Sequence, residues 1–149
     1  MPLIQDYTLV GLPVEIIVER WASGGEQMLA CASARAHRTA VDLIGVDDGD
    51  ESPSWDIWAG PARERYGARR VLPFMVDAHG SSLALCHMDG DLELTPLAPK
   101  LSHLKLLGSY KPSTQREITW PNHTWAEVCA RQLLVELVAE LEAAPAAST

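Results

Sequence analysis

The sequence is short of almost everything that would announce a chemistry. Its three cysteines, Cys31, Cys86 and Cys129, are scattered and contain no CxxC pair. That fits free buried thiols in a reducing compartment better than a disulfide framework or a zinc site. No apolar run reaches the roughly 18 residues that a bilayer span needs. The opening MPLIQDYTLVGLPVEIIVE has neither a basic n-region nor a continuous apolar h-region, so no signal peptide is expected and a cytoplasmic location is the default. Asn122-His123-Thr124 is then a chance sequon. There is no HExxH, no Cys/His ligand spacing and no G-x-S-x-G elbow. Phenylalanine occurs once, against five tryptophans.

What is present is acid, concentrated at one end. Residues 1–60 hold ten carboxylates against three arginines, while residues 61–149 are nearly balanced, and the whole chain carries −8. A surface of one sign repels nucleic acid and anionic lipid and steers basic partners. The expected partner is therefore a protein with a basic surface, with no nucleic acid and no membrane. At 149 residues and 47% hydrophobic content, one globular domain over 1–143 with a disordered tail at 144–149 is expected.

Asp6 to Gly11 reads as a strand. Val14 to Trp21 fits a helix with Val14, Ile17, Val18 and Trp21 on one face, or a strand with Val14, Ile16 and Val18 on one face. Four β-branched residues in five positions favour the strand. Gly24-Gly25 would turn a hairpin, with Gln27–Ala34 returning and Ala40–Val46 as a third strand. Pro61 can open a short helix. Further strands are expected at Val71–Val76, Leu83–His87 and Leu92–Leu97, divided by turns at 77–80 and 88–91. A helical turn at Ser102–Leu107 and a strand at Arg116–Trp120 follow.

The C-terminal helix is the clearest element. Thr124 and Glu127 have capping-box spacing, and Ala126, Ala130, Leu133, Leu134, Leu137, Val138 and Leu141 share one face. A thinner stripe of Val128, Val135 and Ala139 could bury more deeply or pair two copies into a homodimer. The fold class is α+β: an antiparallel sheet of six to eight short strands with one long C-terminal helix packed across it.

Each candidate site has a plainer explanation. Asp47–Glu51 and Asp89–Glu93 lack EF-hand spacing and read as solvated turns, so neither a metal nor another cofactor is expected. His79, or His87 beside Asp89, could act as a base near Ser81 or Ser82, although histidines and serines are common in turns. Arg63, Arg65, Arg69 and Arg70 beside Trp58 and Tyr66 could hold phosphate, yet a pI near 5.0 favours pairing with the acids of 42–56. Trp55 and Trp58 lie in a Pro-, Ser- and acid-flanked stretch suited to an interface, or to a lid over the core.

The expected function is a non-catalytic protein-binding domain of inhibitor, immunity, anti-defence or chaperone type. Asp47, Asp48, Asp50 and Glu51 would supply its charge, with Trp55 and Trp58 as anchors. The alternative is a small enzyme or small-molecule-binding domain with a pocket near residues 52–70, drawing on His79, His87 and the arginines.

Overall fold

The computed structural model describes residues 3–44, 54–79, 87–111 and 122–143. The chain opens with β1 (Leu3–Val10), whose alternation turns Ile4 and Val10 into the core and Leu3, Tyr7 and Leu9 outward.

The next segment corrects the sequence expectation. Val14–Ile44 is one long helix, α1, and not three strands. The Pro13 carbonyl accepts the Ile16 and Ile17 amides, at 3.1 and 3.2 Å, and starts it. Val14, Ile17, Trp21, Met28, Leu29, Ala32, Ala36 and Ala40 are all buried, recurring at helical spacing. A β-branched residue in a helix loses a few tenths of a kcal/mol of propensity. Full burial of a large apolar side chain gains about 1.5–3 kcal/mol, so tertiary burial wins. The glycine pair makes no hairpin, because the helix kinks at Gly24 and continues. At Gly25 an added Cβ would stand 3.0 Å from the Trp21 ring and 3.3 Å from the Ala59 Cβ, so a bare backbone lets the sheet approach the kink.

The remaining elements are β2 (Ser54–Ala59), β3 (Arg63–Glu64), β4 (Arg70–His79), β5 (His87–Ala98), β6 (Leu101–Lys111) and α2 (Asn122–Ala143). They form a six-stranded sheet in the order β1-β6-β5-β4-β2, with β3 also on β4 and every pairing antiparallel. The architecture is thus α+β with an antiparallel sheet, but two helices cover it where one was expected.

Three turn assignments change. No helix follows Pro61; β3 stands there, and Gly67 (φ 68) makes the turn behind it. Asp89-Gly90 is no hairpin turn, since Gly90 sits inside β5 opposite Phe74 and Gly108. A Cβ on Gly90 would fall 2.1 Å from the Leu107 carbonyl oxygen, so this glycine serves close strand approach. The carboxylates at 89, 91 and 93 therefore alternate along a strand and do not form a turn. Ser102–Leu107 is not helical, because β6 buries Ser102, Leu104, Leu106 and Tyr110 at period two. The strands expected at Leu83–His87 and Arg116–Trp120 and the tail at 144–149 fall outside the described residues, except that His87 begins β5.

The core lies between the inner face of the sheet and the two helices. Leu72, Phe74, Val76, Met88, Leu92, Leu94, Leu104 and Leu106 meet Ala126, Ala130, Leu133, Leu134, Leu137 and Leu141 of α2. The expected α2 face is thus the buried one. The helix begins at Asn122, two residues before Thr124, so Thr124 does not stand at its N-cap. Val135 is exposed, so the second stripe is not drawn into the core there.

Candidate functional site

The two helices do not close over the whole sheet. A small cleft of about 40 Å³ is lined by Ser33, Ala36 and His37 of α1, Trp55 of β2, Val76 of β4, Met88 of β5, and Cys129 and Leu133 of α2. Local geometry brings them together. Ser33 and His37 are four apart on one face of α1, as Cys129 and Leu133 are on α2. Val76 and Met88 are directly paired across β4 and β5, and Trp55 is paired with Ala78, one pleat further along β4.

Trp55 is half-buried, and β2 is held in place at its far end. The Trp21 indole donates to the Gly60 carbonyl at 2.9 Å, and the Gly60 amide donates to the Pro73 carbonyl at 2.9 Å. The His37 ring meets Trp55 edge-on, with centroids 6.0 Å apart and planes at 73°. The wall is mostly apolar, and its buried polar residues are Ser33, 3% exposed, and His37, 6% exposed. Among the described residues the Ser33 hydroxyl has no hydrogen-bond partner. The other buried serine, Ser102, donates to the Leu12 carbonyl at 2.7 Å.

The histidine–aspartate pair foreseen at His87 does form, on the opposite face of the sheet. His87 Nε2 lies 3.1 Å from Asp89 Oδ2, and Nδ1 lies 3.5 Å from Asp77 Oδ1. Ser109 donates to Asp89 Oδ1 at 2.9 Å, so its hydroxyl is bonded to the carboxylate and not to the imidazole. That arrangement orients a ring without pairing a nucleophile to a base. Ser81 and Ser82 are outside the described residues, as is the side chain of His79.

Two of the four arginines pair with acids outside 42–56 among the described residues. Arg65 meets Glu93 at 2.6 Å and Arg70 meets Glu64 at 3.9 Å. Both Tyr66 and Trp58 are exposed. Trp55 and Trp58 are odd and even along β2 and so face opposite sides of the sheet, Trp55 towards the cleft. Asp47, Asp48, Asp50 and Glu51 lie outside the described residues. None of the described His, Cys, Asp and Glu residues form a group of three suited to a metal ion. No described helix is long and apolar enough to cross a membrane.

Of the cleft residues, the sequence pointed to Trp55 alone. Ser33 is hidden by the strand assignment of 27–34, and His37 falls between that strand and the one expected at 40–46. A helical reading of that segment would have shown a serine and a histidine set among Leu29, Ala32, Ala36 and Ala40 on one apolar face.

No protein-family profile and no curated protein sequence matches the chain. Solved structures do. A conserved protein from Geobacillus kaustophilus superposes with a TM-score of 0.56 at 10% identity, covering 93% of each chain. A START superfamily protein from Mycobacterium smegmatis superposes with a TM-score of 0.50 at 9% identity, covering 94% of this chain and 97% of that one. The fold is therefore START-like, an antiparallel six-stranded sheet with two helices. This likeness and the cleft correct the expected function. The alternative, a small enzyme or small-molecule-binding domain with a pocket near residues 52–70, is better supported than a protein-binding domain presenting an acidic surface. Its pocket does include Trp55 from the 52–70 stretch, whereas neither His87 nor Arg63, Arg65, Arg69 or Arg70 lines it.

Proposed function

We propose that this protein binds a small, largely apolar molecule in the cleft between α1, α2 and the sheet. The observation that carries the reading is the lining itself: Ala36, Val76, Met88 and Leu133 form an apolar wall, Trp55 supplies an aromatic surface, and two polar residues converge within it. The likeness in fold to a START superfamily protein agrees with this reading without naming a ligand.

The test uses a blocking substitution. Ala36 is buried in the cleft wall, so Ala36→Phe should fill the space from α1. Thermal unfolding is measured for both proteins against a panel of neutral ring compounds. The parent should gain a few degrees with its ligands, as binding to the folded state requires. Ala36→Phe should gain nothing while remaining folded. Equal gains in both proteins would contradict a site in this cleft.

A further inference from the structure

Ser33 sets a problem that the fold does not solve. A serine within a helix commonly bonds back to the carbonyl one turn earlier. Here the hydroxyl is buried in the cleft wall with no partner among the described residues. A buried hydroxyl without a bond keeps its full desolvation penalty. Ser102 shows that this fold can satisfy a buried serine where it serves structure alone.

The surroundings narrow what could complete the bond. Among the described residues neither arginine nor lysine lines the cleft, and Arg35, the nearest cation to Ser33 along the chain, reaches outward to Glu140 at 2.9 Å. A carboxylate or phosphate placed there would surrender its hydration with no cation among the described lining residues to replace it. The neighbouring rings of Trp55 and His37 offer an edge-to-face pair suited to a flat ligand.

Resting on the reading that the cleft binds a small molecule, we infer that its ligand is a neutral, flat, apolar compound carrying a hydroxyl or carbonyl oxygen, and that Ser33 is the residue that selects this oxygen by hydrogen bonding. A hydroxyl can donate to a carbonyl and either donate to or accept from another hydroxyl, so both oxygen types satisfy it.

Three matched probes separate this inference from the reading beneath it: naphthalene, 2-naphthol and 2-naphthoate, titrated at pH 8 and followed by tryptophan fluorescence. The parent should bind 2-naphthol about fivefold more tightly than naphthalene, one net hydrogen bond's worth. 2-Naphthoate should bind more weakly than either. In Ser33→Ala, naphthol and naphthalene should bind equally, with naphthalene affinity retained. Ser33→Cys, a weaker donor, should fall between and serves if the alanine variant folds poorly. If the parent binds naphthalene and naphthol equally, or prefers naphthoate, the assignment to Ser33 falls while the pocket reading survives. A naphthol preference that persists in Ser33→Ala has the same effect. Failure of all three probes to bind the parent removes both.

Discussion

The two ends of the layer between helices and sheet are built from different residues and fastened differently. At the closed end, Val10, Ile17, Leu104, Leu137 and Leu141 are no more than 1% exposed. Polar bonds tie the surrounding chain down. Arg20 donates to the Leu141 carbonyl at the end of α2, the Gly11 amide donates to Glu142 at 2.9 Å, and Ser102 holds the Leu12 carbonyl. At the open end the helices present Ser33, Ala36, His37 and Cys129, and the wall includes a serine hydroxyl with no partner among the described residues. The same layer therefore supplies stability where branched aliphatics interdigitate, and leaves space where small and polar side chains take their place. Stability and binding should be separable by mutation.

The largest effect should come from the closed end. Leu137→Asp places a charge at a fully buried position, so a loss of roughly 4 kcal/mol or more, enough to unfold a marginal domain, is expected. Circular dichroism melts would measure it, and a parent-like melting temperature would mean that α2 does not pack as described. Gly90→Ala comes next. Its Cβ would meet a main-chain oxygen that cannot rotate away, so about 2–3 kcal/mol of destabilisation is expected in urea unfolding.

At the open end the balance should invert. Trp55 is half-buried, so Trp55→Ala should cost only about 1–2 kcal/mol of folding stability, below the full-burial range. It should cost tenfold or more in affinity for ring compounds, read by calorimetry. A collapse in stability with unchanged affinity would make Trp55 a structural lid. The smallest change should be Arg35→Ala, which removes an ion pair with Glu140 from an arginine whose side chain is 61% exposed. Chemical denaturation should move by less than about 1 kcal/mol.

The same division explains what could be read from the residues alone. The buried face of α2 was legible because seven apolar residues repeat at one helical period without a break. α1 was not, because Val14, Ile16, Ile17 and Val18 carry strand propensity locally, and Gly24-Gly25 interrupts the period where the helix kinks. Only burial against the sheet decides between the two templates, and burial is a property of the whole fold. Gly90 misled for a related reason: a glycine that admits a neighbouring strand looks, in sequence, like one that makes a turn. The cleft was half-legible through Trp55. Ser33, Met88 and Cys129 come from three elements far apart in the chain, and no spacing connects them.

On the proposed function, one end of this core is a ligand site and the other a closed support. Methyl and indole nuclear magnetic resonance during a naphthol titration tests it directly. Shifts are expected at Met88, Val76, Leu133 and the Trp55 indole, with Leu104, Leu137 and Leu141 unmoved. Shifts confined to the closed end or the outer face of the sheet, or spread evenly over both ends, would contradict it.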